Sequence, residues 1–221
     1  PRAPAASPAP ATARPAAAAI PVRAQPAPLA LQAAAAKARP AAVARDGFSA
    51  AEVATVQRVD DWFNSFDHLV GTFTQIAPDG ARSRGRFFLE KPGKLRFQYA
   101  LPSTLDIVSN GKTIAVVDHK LDTSDVYPLS QTPLRFLLKR NLDLLDDAKV
   151  TAVKNSPERA SVTVEEHSNL TGTSRLTVVF AGNPFALKQW TVTDPQGLDT
   201  TVMVDHLDSQ QIPPEQAFTI N

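Results

Sequence analysis

The stretch Arg84–Asp118 restricts the fold more than any other part of the chain. Between Leu95 and Tyr99, the apolar residues Leu95, Phe97 and Tyr99 alternate with Arg96 and Gln98. Successive side chains of a strand point to opposite faces of its sheet, so a period of two with one greasy and one wet face describes a half-buried antiparallel strand. The punctuation agrees: Pro92-Gly93 precedes this strand, Pro102 follows it, and Asn110-Gly111 marks a tight hairpin before Lys112. The stretch therefore reads as four strands in succession. Their aromatic face carries no catalytic group, which points to a surface for something apolar.

The same pattern extends in both directions. Strands are expected near 69–77, 84–91, 94–100, 104–109, 113–119 and 122–128, then near 149–154, 159–167, 173–181, 185–193, 199–208 and 217–220. Turn signals at Asp79-Gly80, Asn110-Gly111, Gly182-Asn183-Pro184 and Pro195-Gln196-Gly197 separate them. Two helices interrupt the series. The first begins after Phe48, where Ser49 and Glu52 have the spacing of a capping box and Phe48 and Val53 that of a hydrophobic staple. Val53, Val56, Val59, Phe63 and Phe66 then form an apolar stripe ending near Asp67, so this helix must lie on something. The second is expected over 133–140, with Thr132 as N-cap, Pro133 at the first helical position and Leu134, Leu137 and Leu138 on one face. A strongly curved sheet with two amphipathic helices makes a cup with a lid.

Charge and composition divide the chain. Residues 1–45 are rich in Ala and Pro and hold six basic side chains and no acid, whereas the rest carries 17 bases against 22 acids. A segment of that composition buries too little apolar surface to offset the entropy of ordering, so 1–45 is expected to be a disordered basic tail or linker and 46–221 the folded domain. The opening Pro1, in place of Met, suggests that a segment upstream has been removed or omitted. The absence of cysteine excludes disulfides and thiolate chemistry, and suits an oxidising compartment. No run of about 18 apolar residues is present to span a membrane.

Catalytic signals are missing: there is no GxSxG, HExxH or Walker-type loop. His68, His119, His167 and His206 share no metal-ligand spacing, and Asp205, His206 and Asp208 read as a solvated strand end, so no metal and no cofactor are expected. Glu165 and Glu166 are adjacent on a strand and face opposite ways. The bases Arg82, Arg84, Arg86, Lys91, Lys94 and Arg96 accompany aromatics, but Phe97 and Tyr99 point away from Arg96. A docking face for a partner, with Lys94 and Arg96 in it, fits better than a nucleic-acid groove.

The ordered set Gly71-Thr72-Phe73-Thr74-Gln75, Gly85-Arg86-Phe87-Phe88-Leu89, Lys91-Pro92 through Phe97-Gln98-Tyr99 and Pro102, Ser109-Asn110-Gly111-Lys112, and Thr132-Pro133-Leu134 with Leu137-Leu138 resembles the outer-membrane lipoprotein carrier (LolA) family. The likeness covers about 49–221. It implies an incomplete antiparallel β-barrel, a half-barrel whose helices cover a concave hydrophobic cavity, and a monomeric periplasmic carrier rather than an enzyme. Its partners would be triacylated lipoproteins, an inner-membrane ABC exporter and a receptor in the outer membrane. Phe73, Phe88, Leu95, Phe97, Tyr99 and Ile107 would contribute to the lipid-binding wall, and Leu134, Leu137 and Leu138 to the inner face of the lid. Apolar alternation alone does not separate such a wall from an ordinary filled core.

Family members often carry arginine before the proline that matches Pro92, where it holds the lid by hydrogen bonds to helix carbonyls. Here that residue is Lys91, a compact charge without the planar fork. The resemblance thus implies a lid latch at Lys91 that opens more easily, or one supplied by Lys94 or Arg96. The alternative use of such a half-barrel is a lipid-binding or stress-sensing regulatory module.

Overall fold

The structure, a computed structural model, describes residues 47–168 and 172–220. The expected tail, 1–45, lies outside the described residues. Eleven antiparallel strands form one sheet. In chain order they are β1 (His68–Ile76), β2 (Arg82–Glu90), β3 (Lys94–Tyr99), β4 (Leu105–Asn110), β5 (Thr113–Asp118) and β6 (Thr123–Pro128), followed by β7 (Lys149–Asn155), β8 (Arg159–Ser168), β9 (Gly172–Ala181), β10 (Ala186–Thr193) and β11 (Asp199–Asp208). Their spatial order is β6-β5-β4-β3-β2-β1-β11-β10-β9-β8-β7, so hairpins supply every neighbour except the β1–β11 pair. β6 and β7 end the sheet, which does not close into a barrel. The mainly β antiparallel sheet expected from the alternation, and the half-barrel implied by the family resemblance, are the observed fold.

This order explains the lid. The connection between β6 and β7 leaves one free edge of the sheet and must reach the other. Residues 129–148 therefore cross the concave face. The curl is tight enough for opposite walls to meet: Phe97 on β3 and Trp190 on β10 lie four strand spacings apart, about 19 Å in a flat sheet, yet their ring centroids are 5.9 Å apart.

Helix α1 (Ala50–Asn64) starts as its sequence requires. The Glu52 N–H donates to Ser49 Oγ at 3.4 Å, and the Ser49 N–H donates to Glu52 Oε2 at 2.8 Å. Two orphan donors of the first turn are thereby satisfied. Val53, Val56, Val59 and Phe63 are buried beneath it. Trp62 meets Phe180 of β9 edge-on at 5.2 Å, which seats the helix over the β7–β10 half.

Two local expectations are corrected. Residues 133–140 do not form an α-helix: a 3-10 turn over Pro133–Phe136 is followed by turns, and Thr132 gives no side-chain cap, its hydroxyl donating to the Leu129 carbonyl instead. Spanning from edge to edge requires extended reach that a regular helix would shorten. A four-residue helix, α2 (Leu144–Asp147), follows this crossing; the sequence reading did not anticipate it. The twelfth expected strand, 217–220, is also absent: a 3-10 turn over Glu215–Phe218 places Ala217 and Phe218 against the convex side of the sheet.

Candidate functional site

The concave face is apolar because strand register gathers one parity from every strand. Leu69 pairs with Leu89, Leu89 with Leu95, Phe87 with Phe97, and Phe97 with Ile107. Phe73 and Tyr99 join them, the Phe73 ring standing edge-on to Phe97 and to Tyr99 at 4.9 Å each. Between this floor and the segments above it lies a cleft. Leu69, Phe87, Leu89, Leu95 and Phe97 line it from one half of the sheet, and Leu187 and Trp190 from the other. Phe63, Phe66, Leu134, Leu137 and Leu138 roof it. All the atom-free space there, out to solvent, amounts to about 420 Å³, but only about 30 Å³ can hold the centre of a water molecule. That is room for about two waters. The walls are in contact, and anything larger must part them.

Five of the anticipated residues thus line the cleft itself: Leu95, Phe97, Leu134, Leu137 and Leu138. Phe73, Tyr99 and Ile107 belong to the same core around it. Phe88 does not. It pairs with Val70 and Arg96, faces the convex side and packs with Val70, Ala217 and Phe218. Arg82, Arg84 and Arg86 share its parity, so the polar face of β2 was already written beside it and Phe87 is the inward ring. Phe63, Phe66, Leu187 and Trp190 were not anticipated as cleft residues, since α1 and β10 are brought there by tertiary folding.

Lys91 brings a buried cation to this apolar interior. Lys91 is 2% exposed, and its Nζ donates to the Phe63 carbonyl at the end of α1 while lying 4.2 Å from the centroid of the Phe66 ring. Burial pushes its ammonium down to about 8, against a smaller upward pull from Asp67. The turn that carries it holds the crossing segment as well: Arg140 Nη2 donates to the Lys91 carbonyl at 3.0 Å, and the Gly93 N–H to the Leu138 carbonyl at 3.0 Å. Gly93 has φ +80, and a Cβ there would lie 2.7 Å from Gly111 Cα, so only glycine fits this turn. Residues 91–93 therefore bind both parts of the roof to the floor.

The two parts of the roof are also tied to each other. Asn64, the last residue of α1, donates from Nδ2 to the Leu142 carbonyl and accepts the Leu142 N–H at Oδ1, both at 2.8 Å. Asp60 Oδ1 accepts the Leu144 N–H at 3.2 Å.

Neither alternative latch reaches this region. Arg96 lies on the convex side, where Nε and Nη2 donate to the Asp106 carboxylate and Nη1 to the Ala217 carbonyl at 3.4 Å. Lys94 Nζ pairs with Glu90 at 2.6 Å. Both cations are engaged within the fold. The Tyr99 hydroxyl donates to Gln75 Oε1 at 2.8 Å, and burial, with Asp106 nearby, raises its phenol above the ordinary tyrosine range. No group of side chains among the described residues is arranged to hold a metal ion, and none of their helices is long and apolar enough to cross a membrane.

The family model of the outer membrane lipoprotein carrier protein LolA matches residues 64–221. An outer-membrane lipoprotein carrier protein of Alkalilimnicola ehrlichii is 32% identical over 88 residues, which cover 38% of this chain and 41% of that protein. The chain thus spans about two-fifths of the length of the curated relative it matches. Among solved structures, a candidate outer membrane lipoprotein-sorting protein domain from Vibrio parahaemolyticus is 10% identical with a TM-score of 0.45, covering 76% of this chain and 94% of that one. A chain of the Pseudomonas aeruginosa MucA/MucB complex is 12% identical with a TM-score of 0.41, covering 77% of this chain and 61% of its own length.

Proposed function

The chain belongs to the outer-membrane lipoprotein carrier (LolA) family, and on that premise we propose that it is a periplasmic carrier of triacylated lipoproteins. It takes their acyl chains from an inner-membrane ABC exporter and delivers them to the outer membrane or a receptor there. The observation that carries this reading is the closed apolar cleft roofed by α1 and residues 134–138. Each methylene of an acyl chain gains about 0.8 kcal/mol on leaving water, so chains of membrane length need a shield in transit.

A carrier must also let go. Here the interior walls already touch one another, so an incoming chain replaces protein–protein apolar contacts rather than filling an empty hole, and release restores them. Three hydrogen bonds join the roof to the turn at 91–93: the one from the Gly93 N–H to the Leu138 carbonyl contributes about 1 kcal/mol net, and the two charged ones, from Lys91 Nζ and Arg140 Nη2, up to about 3 each. Together these are small enough for a cargo that buries about ten methylenes to displace.

Native mass spectrometry of the protein recovered from a bacterial periplasm tests the reading. A one-to-one complex with a triacylated lipoprotein is expected, lost in Leu95→Glu on the floor and in Leu134→Glu on the half-exposed roof, both checked for folding by circular dichroism. Recovery with free phospholipid alone, or of empty protein amid abundant lipoprotein, overturns it.

A further inference from the structure

The end of the half-barrel far from the roof carries the most exposed large apolar side chain among the described residues. Leu101, in the β3–β4 connection, is 87% exposed, and Leu121, in the β5–β6 turn, is 67% exposed. Hydrogen bonds hold these two tips side by side. The Ala100 N–H donates to the Arg84 carbonyl at 2.8 Å and the Ser103 N–H to the Ala100 carbonyl at 3.2 Å. The His119 N–H donates to the Thr104 carbonyl at 2.9 Å, and Thr104 Oγ1 to Asp118 Oδ1 at 2.7 Å. Exposure of Leu101 is thus built in: the backbone beneath it is pinned while its side chain contacts solvent.

Arginines adjoin it. Arg82, Arg84 and Arg86 alternate along the convex face of β2 from this same end, and Arg84 contributes the carbonyl that anchors Ala100. Among the described residues no carboxylate pairs with any of the three, and Arg84 Nε is buried without a hydrogen-bond partner. The acids near the rim serve its turns: Asp79 accepts the Ala81 N–H, and Asp118 the N–H groups of Lys120 and Leu121. Asp122 and Lys120 lie in the β5–β6 turn as an opposite pair of charges.

We propose that this rim docks onto an anionic phospholipid bilayer, with Leu101 and Leu121 entering the headgroup–acyl boundary and Arg82, Arg84 and Arg86 meeting lipid phosphates. Two separate leucine tips with guanidiniums alongside match a bilayer interface, which accepts isolated apolar points and offers phosphate in every direction. A protein partner would instead call for a contiguous apolar patch. The rim is about a strand length, ~25 Å, from the turn at 91–93 that holds the roof, so docking leaves the cleft free.

The test uses the full chain and vesicles of phosphatidylcholine alone or mixed with phosphatidylglycerol, without any lipoprotein. Because the chain has no cysteine, Leu101→Cys carries a single environment-sensitive fluorophore. A blue shift with the mixed vesicles is expected. Cosedimentation with them should weaken roughly tenfold in Leu101→Glu and in the doubly substituted Arg82→Glu, Arg86→Glu chain. These residues lie on the surface, so folding is preserved, and the basic tail is common to every variant. An unshifted label, or Leu101→Glu cosedimenting like the parent, overturns the proposal, and either would stand whether or not the cleft carries lipoprotein.

Discussion

Replacing Lys91 by Met keeps an unbranched side chain, one atom shorter, and removes its charge, which isolates what burying an ammonium does to this fold. Lys91 is protonated in both folded and unfolded chains at pH 7. Its ordinary value is 10.5, and burial brings it to about 8 in the fold. Between pH 8 and 10 the folded protein has released this proton while the unfolded chain still holds it. The unfolded state then binds more protons, so the unfolding free energy rises with pH. The gap corresponds to about 3 kcal/mol when complete, of which about 2 kcal/mol is gained by pH 10. Tyr99 closes the window from above: its phenol is raised in the fold, so beyond pH 10 the unfolded chain loses that proton first and stability falls again.

Urea denaturation followed by the fluorescence of Trp62 and Trp190, at pH 7, 8, 9 and 10, measures both chains. The parent is expected to gain about 2 kcal/mol relative to Lys91→Met across this range. At pH 7 the variant loses the bond to the Phe63 carbonyl but also the buried charge, and these opposing effects leave it within about 1 kcal/mol of the parent. Parallel pH profiles for the two chains would refute the reasoning, because the alkaline gain would then belong to some other group.

Two further substitutions probe how the roof and floor are assembled. Asn64→Ala removes both hydrogen bonds to Leu142, and a loss of about 2 kcal/mol is expected, with faster amide exchange confined to residues 137–148; exchange that speeds up uniformly would count against a local clasp. Gly71→Ala places a Cβ 2.7 Å from the Phe87 ring and 3.0 Å from the Asp205 carbonyl, so Phe87 must leave its position on the cleft floor. A cost of about 1–3 kcal/mol is expected by thermal denaturation, and an unchanged midpoint would show that the ring yields freely.

How far the sequence alone reached depends on the range of the interactions involved. Eleven strands were legible because the two-residue period, the turn dipeptides and the alternating polarity are local properties of each segment, and the capping box at Ser49 and Glu52 is complete within four residues. The inward side of β3 was legible for the same reason. On β2 the adjacent rings Phe87 and Phe88 left a choice, and the arginines at 82, 84 and 86 already decided it in favour of Phe87. The residues 133–140 misled because their leucine spacing and N-terminal proline are helical signals, whereas a segment that must cross from one sheet edge to the other has its length set by the far edge.

Nothing local could show that Phe97 meets Trp190, 93 positions later in the chain. That contact depends on β1 pairing with β11 and on the curl of the whole sheet, so only the tertiary structure made one apolar face into a closed cleft. The same holds for Lys91. The family resemblance marks its position before Pro92 as that of a lid latch, but its burial exists only because the end of α1 presents the Phe63 carbonyl there, with the Phe66 ring just beyond it. Periodicity determines which way side chains point; long-range pairing determines what they point at, and the chemistry of this site belongs to the second.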